Sequence, residues 1–230
     1  MTLTGVFINS IGVFLAGLTG SFCKKGIPEK VRTTLMMGLG LCVLYIGISS
    51  ITAGTSIIMI VLSIAIGAVV GERIDIDDNL NRMGKVMQKH LTFIGNDNIA
   101  DGFVAGTLFV CVGAMSIVGG IESGTQGTFN TFVAKALIDS VVIFIMATTK
   151  GIGCCLSAFV ALIYQTALTL SASFIAQFLN ATITSEMSQI GAILIVGIAL
   201  NILQITHIKI GNLILSPFMP ILLHLIIAIV

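Results

Sequence analysis

The sequence predicts an all-α polytopic transmembrane helical bundle of about eight spans, some of them broken, with one interfacial amphipathic helix. Three observations carry this. The 230 residues are 56% hydrophobic and only 9% charged, whereas a soluble domain uses about 25% charged residues to keep its surface hydrated. Most of the charges fall in two windows, 23–32 and 72–101. The nearly charge-free stretches between them approach the roughly 20 apolar residues that a helix needs to cross the hydrocarbon core. The expected partner is the lipid bilayer. No nucleic-acid partner is expected, because a net charge of +1 without a basic block cannot displace counterions from phosphates.

Apolar runs between polar breaks place the spans at 3–22, 33–51, 55–71, 102–119, 131–149, 153–178, 188–204 and 211–229, within a single domain 1–230. Nothing basic precedes the first span, and Lys24-Lys25 follows it. That is the reverse of a secretory leader, so the segment is expected to stay as a helix. Spans 2 and 3 are separated only by a short stretch around Gly54 and form a hairpin. In 72–101, Ile76, Leu80, Met83, Met87, His90 or Leu91, and Ile94 recur at steps of three and four, with Asp77, Asp78, Arg82, Lys85 and Lys89 on the other face. This is the pattern of an amphipathic helix at the membrane surface, and its acidic start and basic end suit the helix dipole.

Span 4 holds Gly113-Ala114-Met115-Ser116 followed by Gly119-Gly120. Glycines flanking a short polar stretch permit a broken helix, which exposes backbone groups at transporter sites. Span 8 carries a second break signal in Pro217 and Pro220. Small-xxx-small spacings at Gly67 and Gly71, Gly102 and Gly106, and Gly120 and Gly124 allow close helix approach, and those in spans 3 and 4 suggest a homo-oligomer, a dimer foremost.

Orientation follows from Lys and Arg, which are retained on the cytoplasmic side. The loops after spans 1, 3, 5 and 7 hold four, four, one and one of the 11 basic residues, and the loops after spans 2, 4 and 6 hold none. Both termini are therefore expected outside a bacterial cytoplasmic membrane.

Lys135 and Asp139 are the two ionisable residues well inside a predicted span. Each costs about 2.5–3.5 kcal/mol at a helix centre, so they are expected to face the bundle interior or a wet cavity. Four residues apart, they share one helix face and can pair. Asn9, Ser116, Gln165 and Asn201, with Asn212 at the head of span 8, supply further polar groups that could line a path. Cys23, Cys42, Cys111, Cys154 and Cys155 show no CxxC spacing and read as buried inert thiols. There is no HExxH, no second intramembrane carboxylate beside Asp139, and no histidine placed beside a serine. No catalytic residue, metal site or cofactor is assigned, and no enzyme is expected.

The segments Thr107 to Gly119 and Lys135-Ala136-Leu137-Ile138-Asp139 resemble the bacterial membrane-protein family known as domain of unknown function 554. So do the Gly5 to Asn9 start, Ile27-Pro28-Glu29, Gly71-Glu72, Tyr164-Gln165 and the span from Ile190-Gly191 to Asn201. Two departures are Thr166, where the family pattern has glycine, and Asn212 to Pro217, where it has Asn-Leu-Leu-Pro. The resemblance implies an integral membrane fold and brings no established substrate. The reading favoured is a transporter of a small polar solute or ion with Lys135 and Asp139 at its site, because nearly all of the mass lies in the bilayer. The alternatives are a non-transporting membrane scaffold or regulatory partner, and an oligomeric channel.

Overall fold

In hydrocarbon the backbone must satisfy its own hydrogen bonds, and a helix does so within one segment. Every regular element among the described residues is helical. The computed structural model describes residues 2–23, 28–51, 56–90, 99–112 and 114–229. In chain order the elements are α1 Thr4–Cys23, α2 Glu29–Ser49, α3 Ile57–Ile74, α4 Ile76–His90, α5 Ile99–Val112, α6 Ala114–Thr125, α7 Asn130–Lys150, α8 Gly153–Ala176 and α9 Ala181–Ile202. Two 3-10 turns follow, Ile210–Leu213 and Ser216–Phe218, and then α10 Met219–Ile229. Seven stretches are long and apolar enough to cross a membrane, and eight if α5 and α6 count as one bent span.

The expected breaks are both present. Between α5 and α6 the axis turns by 56°. The last span begins as 3-10 turns around Pro217, and α10 alone has 11 residues, too few to cross roughly 30 Å of hydrocarbon. Several boundaries lie outside the expected spans, α2 starting at Glu29 and α6 running on to Thr125, and the largest difference is at α9. The run 181–187 reads as loop by hydropathy, yet α9 starts at Ala181, because the Asn180 side chain accepts a hydrogen bond from the Ile183 N–H at 2.8 Å and caps the helix.

Glycines set the helix directions. Along α1, a Cβ on Gly5 would meet Phe129 and Phe132, one on Gly12 would meet Ser140, and one on Gly20 would meet Phe144 and Ala147. So α1 and α7 run parallel. The α5–α6 span runs parallel to α8 in the same way, with Gly102 at Cys154, Gly106 at Ser157, Gly120 at Leu168 and Gly124 at Ala172. Gly67 and Gly71 admit the backbone of Ser216 and Asn212, laying the last span antiparallel on α3. All three small-residue pairs are thus filled within one chain, which removes the ground on which they suggested a dimer.

The described basic side chains other than Lys135 gather at one end. Arg32 Nη2 donates to the Thr149 carbonyl at 2.6 Å, Lys150 pairs with Asp101 at 2.6 Å, and Lys209 pairs with Glu72 at 3.0 Å. At this basic end, a single left-handed residue, Asp75 (φ 53°), turns α3 into α4. The contacts of α4 differ from the sequence expectation. It turns the stripe Asp77, Asn81, Gly84, Gln88 toward the protein: the Asp77 N–H donates to Asn212 Oδ1 (2.8 Å), Asp77 Oδ1 accepts from the Gly211 N–H (3.1 Å), and Gln88 Oε1 accepts from the Ala100 N–H (3.4 Å). A Cβ on Gly84 would stand 2.9 Å from Ala100 Cα, so a backbone lies against this face. Met83 and Val86 are left on the outer surface, where an interfacial helix meets lipid. The expected contributions of Leu91 and Ile94 lie outside the described residues. Of the five thiols, Cys111, Cys154 and Cys155 are buried as expected, whereas Cys23 and Cys42 are on the surface of the bundle.

Candidate functional site

A carboxylate and an ammonium inside a bundle need partners, and each is the other's. Lys135 Nζ lies 2.9 Å from Asp139 Oδ2 and 3.1 Å from Oδ1, and the residues are only 3% and 2% exposed. The i,i+4 spacing on α7 makes this pairing local. Asp139 is nine residues past Asn130, about 13 Å along the helix at about 1.5 Å per residue. The parallel packing of α1 brings Asn9 beside the Asp139 carboxyl. Asn9 is fully buried, and neither of its amide atoms has a hydrogen bond of good geometry. Among the described residues no three His, Cys, Asp or Glu side chains gather to hold a metal ion.

The α5–α6 break meets this pair. Phe109 in the last turn of α5 and Met115 at the start of α6 line a cavity of about 70 Å³ together with Lys135, Asp139, Ile138, Ile46, Ser50, Ala192 and Ile195. Cys111 lies within electrostatic reach of both charges. Ser116 is fully buried and donates to the Val110 carbonyl at 3.1 Å, so it takes up an acceptor that the broken helix frees. Gln165 on α8 is fully buried with neither amide atom bonded. It falls between Ser157 and Leu168, the residues that flank the break, but is outside the cavity lining.

Asn201 does not join them. It sits in the last turn of α9, where Oδ1 accepts from Thr206 Oγ1 and the Ile208 N–H, both at 2.9 Å, and Nδ2 donates to the Ile208 carbonyl at 2.7 Å. Asn201 thereby ties down the loop after α9. Asn212 is likewise engaged, donating to Glu72 Oε2 at 2.6 Å while it holds α4.

Asn201 does line a second cavity of about 320 Å³ at the basic end, with Asp77, Asn81, Asp101, Lys150, His207 and Lys209 around its rim. The Glu72 hydrogen bond holds the Lys209 ammonium above its ordinary range. Leu108, Met146 and Ile198 also line this cavity. The two cavities therefore lie along the same three helices, α5, α7 and α9. Phe109 and Ile195, which line the first cavity, and Ile198, which lines the second, are buried in the main core together with Val142. Neighbouring residues on α5, Leu108 and Phe109, line one cavity each, and on α9 Ile198 and Ile195 do the same, so the layer between the two cavities is a single tier of side chains.

One buried charge escaped the sequence reading. Glu186 is 1% exposed, inside α9, and its Oε2 is 2.9 Å from His224 Nε2 on α10. The signal was available: Ile183, Met187, Ile190 and Leu194, all buried, form a helical stripe that starts five residues before the expected span and contains Glu186.

The chain is 27% identical over 220 residues to the "Uncharacterized membrane protein YdfK" of Bacillus subtilis (strain 168), covering 94% of this chain and 93% of that one. It is 26% identical over 218 residues to the "Uncharacterized protein YqgA" of Escherichia coli (strain K12), covering 90% of each. No solved structure matches it. Residues 4–225 match the family described as Protein of unknown function (DUF554), and this multi-pass membrane protein belongs to that family.

Proposed function

We propose that the protein is a transporter that carries a small polar solute or ion across the bacterial cytoplasmic membrane, with Lys135 and Asp139 at its binding site. The observation that supports this is the arrangement of two cavities along α5, α7 and α9, one around the buried ion pair and one at the basic end, with a single apolar layer between them. A solute path that is closed at one layer, with a polar site on one side of it and a vestibule on the other, is the geometry alternating access requires. The broken α5–α6 span beside the pair is the kind of discontinuous helix that such sites use. An open channel would instead want polar groups through this layer. We orient the basic end to the cytoplasm, with both termini outside, because retained Lys and Arg mark the cytoplasmic side.

The test is a solute-binding thermal-shift screen on the purified protein, followed by uptake of the hits in proteoliposomes. Wild-type protein should accumulate at least one small polar solute or ion, and Lys135→Met/Asp139→Leu should fold, insert and fail to do so. Uptake by that double variant at the wild-type rate sinks the site assignment. No uptake of any solute by wild type favours the scaffold reading. For orientation, cysteines introduced at Gln126 and Thr182 should label from outside the cell and one at Gln88 should not.

A further inference from the structure

Resting on the transporter reading, we propose a substrate class for the Lys135–Asp139 site: a small zwitterion, an amino-acid-like solute with an ammonium, a carboxylate and a short aliphatic body. The argument is charge balance in a dry place. Both side chains are almost completely buried and each is the other's counter-ion. A cation that takes Asp139 strips Lys135 of its partner, and an anion that takes Lys135 strips Asp139. Either event leaves a desolvated charge unpaired, a large penalty. A proton added to Asp139 has the same effect on Lys135. A solute that carries both signs opens the pair and satisfies both halves, its carboxylate on Lys135 Nζ and its ammonium on Asp139, with no change in net charge.

Three further features fit the same ligand. The Asn9 amide, fully buried, faces the Asp139 carboxyl and has no other hydrogen bond, so that once the pair opens it offers an acceptor to an ammonium and donors to a carboxylate. The cavity is bounded by the end of α5 and the beginning of α6. Helix ends leave carbonyls and N–H groups without intrahelical partners, partial charges of both signs, and of these the Val110 carbonyl is taken by Ser116. The remaining lining, Ile46, Ile138 and Ile195 among it, is apolar, and the volume is about 70 Å³, room for a few heavy atoms.

Equilibrium binding of radiolabelled glycine and L-alanine to the purified full-length protein in nanodiscs tests this, with methylammonium and acetate as competitors, separately and together at equal ionic strength. At least one of the two zwitterions should bind saturably and be displaced by the other. Methylammonium or acetate alone should shift its apparent Kd less than twofold. Asn9→Ala should weaken binding about tenfold, and Lys135→Met/Asp139→Leu, checked for folding by thermal unfolding, should abolish it. Absence of binding by both zwitterions overturns the assignment, as does displacement by either single ion at concentrations comparable to glycine, or binding retained in the double variant. If proteoliposomes instead take up a singly charged ion through wild type and not through the double variant, the zwitterion assignment falls while the transporter reading stands. If they take up nothing, both fall.

Discussion

Removing Lys135 or Asp139 singly should destabilise the protein far more than removing both. The two side chains are 3% and 2% exposed and lie 2.9 Å apart on one helix. Lys135→Met leaves the Asp139 carboxylate buried without its counter-ion, and Asp139→Leu does the same to the ammonium. Truncating one partner of a buried pair costs about 3–5 kcal/mol. The double change behaves differently because the pair is intrahelical. It survives in a chain whose helices are inserted but not packed, so packing gains little from it. The double variant loses only the contact with Asn9 on α1, and interhelical polar contacts in membranes average about 0.6 and reach about 1.7 kcal/mol. Each single variant should therefore lose at least about 3 kcal/mol, roughly two powers of ten in the unfolding constant, and the double variant less than about 2 kcal/mol. Steric trapping in bicelles, or reversible unfolding in mixed micelles, reads these differences. A double variant whose loss equals the sum of the singles would refute the reasoning, as would single variants within about 0.5 kcal/mol of wild type.

Gly71→Ala should dislodge the last span, because its Cβ would collide with the Asn212 backbone, with a loss beyond about 2 kcal/mol, whereas Gly38→Ala, where a Cβ meets nothing within 4 Å, should be neutral or gain up to about 1 kcal/mol from helix propensity; equal thermal stability of the two variants contradicts this. Asn212→Ala removes the acceptor of the Asp77 N–H and the donor to Glu72, about 1–3 kcal/mol of local contact, and should speed hydrogen exchange in the first turn of α4 while leaving that of α7 unchanged. His224→Ala takes the partner from the buried Glu186 and should cost about 1–3 kcal/mol, with Glu186→Gln/His224→Ala recovering part of the loss in the same thermal melts; a further loss in the pair of changes argues against a coupled contact.

Hydropathy reads what the solvent imposes, and here the solvent is lipid. The eight apolar runs, the interfacial helix and the breaks near Gly113 and Pro217 were legible because each is a local rule about length, charge or backbone. Two errors came from the same source. Polarity alone puts the start of α9 late because it does not register the cap at Asn180, and Glu186 then falls outside the span. On α4 the protein receives the polar and small stripe Asp77, Asn81, Gly84, Gln88, while of the apolar stripe Ile76, Leu80 and Met87 are half-buried and Met83 is exposed. In a membrane protein the apolar face has lipid to rest on, so amphipathicity alone does not tell which face meets the bundle.

The site was legible residue by residue but not as a set. Lys135, Asp139 and Asn9 come together, Ser116 and Gln165 lie by the break outside the cavity lining, and Asn201 belongs to a loop at the other cavity. What selects them is the parallel packing of α1 on α7 and of α5–α6 on α8, contacts between spans that are not neighbours in sequence. Spans of equal parity run in the same direction, so such pairs are parallel by necessity. Nothing in the polar residues themselves says which pairs form. Glycine does: Gly5, Gly12 and Gly20 recur at seven and eight residues along α1, one stripe down a helix face, and such a stripe marks a close helix neighbour along its whole length. Asn9 lies between the first two, one turn before Gly12, and so is carried against α7 at the level of Asp139. The glycine pattern, taken together with the charge in span 5, therefore accounts for Asn9 meeting Asp139, and for Asn201, on a helix outside that contact, remaining at the basic end.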